Sequence, residues 1–288
     1  MRIFDRIASG EQVIGDDLMP MPSTAMSALR KVVHEFPRII ADEAAEYLAF
    51  HRQDSWNPND DFGEMNPPFE YVWVEWKSPK TKRFEGKIID YGATQFAVVL
   101  MAANEGFYAY IGTAFVTHPD GDVIIQMPIT PCIDGNYVVD FFINDEVVPQ
   151  WLELQGHNDK NRMWSHFGSE LLPLYLSFSW LNCATFELET QGPNKQIARK
   201  RRRKGHFVGL DYQRIVVGKK QRKRWESQSG QAWQRFHLVR GHYADYREHG
   251  LFGNPELRGR YWVPSYGRGD KSLGTINHEY HVTSEAAE

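Results

Sequence analysis

A chain of 288 residues with 42% apolar and 24% charged side chains has room for one large domain or two ordinary ones and excludes a disordered polyelectrolyte. The longest apolar run, FAVVLMAA at 96–103, is far shorter than the roughly 20 residues of a membrane span, the first seventeen residues hold no apolar signal core, and two cysteines cannot build a disulfide framework. The expectation is therefore a cytoplasmic protein with no membrane partner, in which Cys132 and Cys183 are buried thiols. The net charge of −4 conceals a division, because residues 193–288 hold 20 Lys and Arg against nine Asp and Glu, whereas residues 1–192 hold 13 against 28. An acidic body over 1–192 and a basic region over 193–288 are predicted, the basic region being a candidate polyanion surface.

Residues 23–53 carry apolar side chains at three-to-four spacing behind Ser23 or Thr24 as a cap, which predicts a helix that Pro37 divides in two. The Asn, Asp, Pro and Gly of 54–68 read as a loop. Aromatic and β-branched runs then follow at 69–76, 95–103, 106–117, 122–129 and 137–145, with turn residues between them. The short connections favour antiparallel neighbours. Glu75, alternating with valines in VWVEW, is expected on the solvent face. Residues 161–190 return to a helix that is apolar nearly all round, hence buried, and Gly192–Pro193 ends it at the expected domain boundary. Beyond it lie two basic blocks, Arg199, Lys200, Arg201, Arg202, Arg203 and Lys204, then Lys219, Lys220, Arg222, Lys223 and Arg224, with a strand candidate at 212–217 between them. Candidate strands at 236–243, 260–264 and 279–283 make the tail a compact β unit, with glycine-bearing turns at 250–259 and 267–274. The fold class is α+β: a helix-flanked antiparallel sheet, a basic linker and a small β-rich C-terminal unit.

Three patterns could carry chemistry. If 236–243 is one strand, a period of two puts Arg240 and His242 on the same face, a fork beside a titratable donor suited to phosphate, with Gly241 leaving room for a ligand. Arg260, Trp262 and Arg268 downstream interleave cations with an aromatic ring, as stacking on unpaired bases requires. The same tail offers His237, His242 and Tyr246, with Tyr243 and Arg240, as general acid, base and cation of a metal-independent nuclease. The carboxylates Glu70, Glu75, Asp90, Asp120, Asp122, Asp140 and Asp145 sit mostly at turns, where local backbone bonds explain them. No histidine pair has zinc-helix spacing and no CxxC, phosphate loop or nucleophile elbow occurs, so no metal or cofactor is expected.

The segments PPFEYVWVEW (67–76), LNCATFELE (181–189), RKRRRKGH (199–206), FHLVRGHYADY (236–246), GRYWVP (259–264) and GTINHEYHV (274–282), in this order, resemble an uncharacterised family of proteins from tailed phages, prophages and mobile elements. Its members end in an Arg-Gly-His block, a Trp-Val strand, a glycine turn and an aromatic strand. The resemblance is firmest over the last ninety residues or so. Tyr243 and the insertion LFGNPEL at 251–257 depart from the pattern. The resemblance implies a bacterial host cell and a two-part layout with a basic hinge, and carries no activity. The expected function is nucleic-acid binding, RNA or DNA, by the basic tail. The alternatives are a nuclease or toxin using that tail, and a factor that binds a host protein through its acidic body.

Overall fold

The computed structural model describes all residues except 52–57, 63, 79–80, 85–86, 91–93, 118–122, 156–159, 218–234, 240–241, 249, 252–253, 264–265, 269 and 277–288. In chain order the elements of the first part are α1 (Ile3–Ala8), β1 (Val13–Ile14), α2 (Ser23–Glu35), β2 (Arg38–Ile40), α3 (Asp42–His51), α4 (Pro58–Asp61), β3 (Tyr71–Lys77), β4 (Thr81–Phe84), β5 (Lys87–Asp90), β6 (Gln95–Ala102), β7 (Tyr108–Thr117), β8 (Ile124–Gln126), β9 (Ile129–Asp134), β10 (Val139–Ile143), α5 (Val148–Gln155) and α6 (Lys160–Leu181). There follow β11 (Phe186–Gln191), α7 (Lys195–Arg203), β12 (Tyr212–Val217), β13 (Arg235–Val239), β14 (His242–Asp245), β15 (Arg260–Val263), β16 (Tyr266–Arg268) and β17 (Asp270–Ile276). The class is α+β.

The chain forms two compact units, residues 1–182 with 187–216, and residues 183–186 with 217–288. The first is built on a mixed sheet of order β1-β8-β7-β6-β3-β2-β12-β11, with β9 beside β7 and β10 outside β9. The pairs from β3 through β6, β7, β9 and β10 are antiparallel, as their short connections require. The departure is β2, a strand hidden between the two expected helices. It runs parallel to β3 and to β12, and the long α3–α4 segment supplies the crossover that a parallel pair needs. Pro37 does end α2, but Pro22 precedes that helix and no side chain caps it.

Alternation along the strands sorts the core onto two faces. On one face Ile3, Phe4 and Ile7 of α1 and Met26, Leu29 and Val33 of α2 cover Trp73, Ala97, Val99 and Phe115, and the Trp73 and Phe115 rings stack at 5.6 Å. The other face is covered by α3 and α6. In α6, Leu171, Leu172, Leu174, Tyr175, Leu176, Phe178 and Trp180 are all buried, in agreement with the continuous apolar pattern. Cys132 and Cys183 are free and buried, and burial pushes the Cys132 thiol up to about 12, which disfavours the thiolate.

Glu75 overturns its expectation. It is fully buried on the α1 face, where its Oε1 accepts from the Ile3 amide at 2.9 Å and its Oε2 from the Phe4 amide at 3.1 Å. A helix N-terminus exposes unpaired N–H groups and partial positive charge, and Glu75 meets both from a neighbouring strand. The valines alternating with it face the other helical layer, so the middle of β3, from Val72 to Trp76, is covered on both sides and Glu75 meets no solvent.

The strand 212–217, expected in the tail, is β12 of the body sheet, so the first unit extends past residue 192. Leu210 N donates to Asp5 Oδ1 at 2.8 Å and Arg38 Nε donates to the Asp211 carbonyl at 2.7 Å, fixing the approach to β12. A chain ending at 216 is expected to be soluble and to melt cooperatively. One ending at 192 leaves the β2 edge unpaired and is expected to aggregate. Size-exclusion chromatography and thermal melts of the two chains check this; equal behaviour of both would remove β12 from the folding unit.

Candidate nucleic-acid interface

The first basic block is a helix, not a linker. Asn194 caps α7, its side-chain oxygen accepting from the Gln196 amide at 3.0 Å and the Ile197 amide at 3.3 Å. At the other end Gly205 takes φ +67°, its amide donates to the Arg202 carbonyl and the His206 amide donates to the Arg201 carbonyl. This is a Schellman stop, which glycine adopts without a Cβ penalty. The last turn holds Lys200, Arg201, Arg202 and Arg203 beside the negative end of the helix dipole, which favours cations there. Asn194 and Gly205 bracketing a run of good helix formers were the sequence signals for this element.

The helix is an excursion between neighbouring strands β11 and β12, and its base is tight. A Cβ on Gly192 would stand 2.5 Å from Asp211 Oδ1. Asp5 anchors the return through Leu210, and burial raises its pKa while that amide holds it down. Ala198 is the one buried residue of α7, and Ile197 is 56% exposed. Lys195, Arg199, Lys200, Arg201, Arg202, Arg203 and Lys204 are all exposed, and among the described residues none of them forms an ion pair. Like charges four apart, as in Lys195 and Arg199, Arg199 and Arg203, or Lys200 and Lys204, cost about 0.2–0.5 kcal/mol each. The cations are thus held at high density on a fixed mount, with no carboxylate paired to them among the described residues.

The tail is arranged differently from its expectation. Strand 236–243 is two strands: β13 lies between β16 and β17, whereas β14 pairs with β15 in a separate sheet. Val239 and His242 thus belong to different sheets rather than to one continuous strand. Arg240 lies outside the described residues, as do Lys219, Lys220, Arg222, Lys223, Arg224 and the strand expected at 279–283. The glycine turn expected at 267–274 is largely β17, opposite β13. His237 sits on β13 opposite Arg268 and Ile276, and His242 sits on β14 opposite Val263. Tyr246 packs edge-on to Tyr261 at 5.9 Å. His237 and His242 therefore lie in different sheets, and Tyr246 follows the end of β14.

Trp262 is 6% exposed and packs on Tyr243 at 4.7 Å, with the Arg260 guanidinium 4.3 Å from the Tyr243 ring centroid. Trp262 is therefore buried and presents little surface on which a base could stack. Of the carboxylate set, Asp140 accepts from its neighbour's amide, Phe141 N, at 2.8 Å, a local backbone role. Asp120 and Asp122 lie outside the described residues. Among the described residues no three His, Cys, Asp or Glu side chains converge, and no helix is long and apolar enough to cross a membrane.

Eight of the 20 basic residues of 193–288 fall in 193–216, so the first unit carries −8 and the second +4. The charge division read between halves is therefore largely a division within the first unit, between α7 and the rest. No family model, curated protein or solved structure matches the chain.

Proposed function

We propose that this protein binds nucleic acid, with α7 as the primary phosphate-contacting element. The observation that carries the reading is the run of six consecutive exposed cations, Arg199 to Lys204, held helical by its caps, mounted at the sheet edge and without ion pairs among the described residues. A helix of nine residues spans about 13 Å, a width that a major groove or a folded RNA can accept. Lys219, Lys220, Arg222, Lys223 and Arg224, with Arg240, Arg260 and Arg268, extend the cationic composition toward the C-terminus. The resemblance of the tail to phage and mobile-element proteins supports a role in the cytoplasm of a bacterial host. A host-protein reading of the acidic body is favoured by a separate surface, the exposed apolar side chains of β3, β6 and β7. The spread of His237, His242 and Tyr246 gives the nuclease reading no comparable support.

The test is a fluorescence-anisotropy titration of labelled RNA and DNA oligonucleotides at increasing salt. Neutralising phosphates releases counterions, so with about six contacts the affinity is expected to fall on the order of a thousandfold between 50 and 200 mM salt. An affinity that does not change with salt would mean that α7 does not meet phosphate. Chelator-insensitive cleavage of the probe would favour the nuclease reading instead.

A further inference from the structure

The antiparallel half of the body sheet carries a row of apolar side chains that the helices do not cover. Tyr71 on β3 lies directly opposite Met101 on β6, and Met101 lies directly opposite Ile111 on β7. Directly opposed residues share a sheet face, and the three are 46%, 45% and 41% exposed. The row belongs to the α1–α2 face but passes beyond the end of α2, where Phe36 leaves the helix and its ring contacts Tyr71 at 4.7 Å. Across β9 the surface continues in aromatics, with Tyr108 edge-on to Phe142 at 5.2 Å and Phe107 edge-on to Tyr108 at 5.1 Å. Phe107 and Phe142 are exposed as well. Five exposed large apolar side chains in this region, Tyr71, Met101, Ile111, Phe107 and Phe142, are more than the scattered exposure of an ordinary surface.

The strands β6 to β10, which carry most of this face, hold charge of one sign. Residues 88–159, which include all of β6 to β10, contain no lysine or arginine and ten Asp and Glu. Asp140 continues the register of the row through Cys132, and Glu105 lies in the turn that presents Phe107. Both carboxylates are exposed, and among the described residues neither forms an ion pair. Nearby Arg38 is turned to the Val33, His34, Phe36 and Asp211 carbonyls. A phosphate backbone would be repelled here, whereas a segment bearing lysine or arginine would find both its apolar and its charged groups matched.

Strand addition is closed off. Val139 exchanges hydrogen bonds with the Asn59 side chain, Tyr175 Oη donates to the Asp140 carbonyl, and the Phe141 amide is taken by Asp140 Oδ1. The outermost strand β10 is thus guarded against a further strand, and an occupant must lie across the face.

We propose that this face is a docking surface for a polypeptide segment of another protein that carries apolar side chains together with lysine or arginine. It is independent of α7 and of the nucleic-acid reading. The test uses the full chain and two labelled helical peptides of identical pattern, one of lysine and leucine and one of glutamate and leucine, followed by anisotropy. The lysine peptide is expected to bind and the glutamate peptide not to. The double substitution Met101→Ser, Ile111→Ser should weaken the lysine peptide at least about tenfold, since it removes apolar contact without changing charge. Phe142→Ser serves as the second variant should the double one melt early. Met19→Ser, at an apolar residue 61% exposed elsewhere, should leave binding unchanged. Equal binding to wild type and both face variants, or equal binding of the two peptides, overturns the proposal. Concentration-dependent self-association of the wild type that the face substitutions abolish overturns it in favour of a second copy of this chain.

Discussion

Replacing Arg199, Lys200, Arg202 and Arg203 together by glutamine should lower the affinity for a single-stranded oligonucleotide on the order of a thousandfold at 0.1 M salt. The magnitude follows from counterion release, where each lost phosphate contact on a single strand lowers the slope of log affinity against log salt by about 0.7. Four contacts therefore take roughly three units from that slope, and the slope is the stronger readout because misfolding does not mimic it. The fold should survive. Glutamine is a good helix former, none of the four side chains is buried, and the substitutions remove the like-charge contact between Arg199 and Arg203. Melting temperature should be unchanged or slightly higher. Retained affinity and slope in the folded variant would show that the binding surface lies elsewhere, and would move attention to the second basic block.

Removing the Glu75 side chain should be among the most destabilising single changes in the body. Glu75→Ala strands the Ile3 and Phe4 amides and the Trp73 indole N–H, which stands 3.4 Å from Oε2, in the buried core. It also leaves Arg2, whose guanidinium is 4.0 Å from Oε1 and pairs with Asp42, without its second carboxylate. A loss of about 3–5 kcal/mol is expected, the usual consequence of leaving buried polar groups unpartnered. The pH dependence has a definite sign. Burial is the largest influence on Glu75 and pushes its pKa from the ordinary 4.5 up to about 7, against the opposing pull of Arg2 and the three donors. The unfolded chain therefore gives up this proton first. The stabilisation tied to the protonated form is complete below about 4.5 and is lost as pH rises through 7, on the order of 3 kcal/mol in all. Wild type should melt higher at pH 6 than at pH 8. Glu75→Gln, which keeps one acceptor oxygen and cannot titrate, should lose that difference while melting lower overall. Parallel pH profiles of wild type and Glu75→Gln would show that Glu75 does not titrate in this range.

Much of the architecture was legible because it rests on short-range patterns. The aromatic and β-branched runs that became β3, β6, β7 and β10 announce themselves by composition, and their short connections leave antiparallel pairing as the only economical arrangement. The all-round apolar run of α6 foretold its burial. The strand β2 was not legible: three residues between two helices carry no periodicity, and Ile39 and Ile40 read equally well as helix. Its existence depends on β3 and β12 lying either side of it, which is information about residues more than 30 positions away.

The candidate interfaces divide in the same way. Composition determined by itself that the cations of this protein are concentrated in its last third and that the stretch 88–159 has none, because charge is a property of the residues and not of their arrangement. Tertiary structure decided that the first basic block belongs to the body as a capped helix, that Trp262 is packed away, and that Val239 and His242 belong to different sheets. It also decided the fate of Glu75. Alternation specifies which strand residues share a face, but whether a face meets solvent or a helix depends on what the rest of the chain lays over it, and α1, which arrives from the other end of the sequence, covers the side that Glu75 occupies.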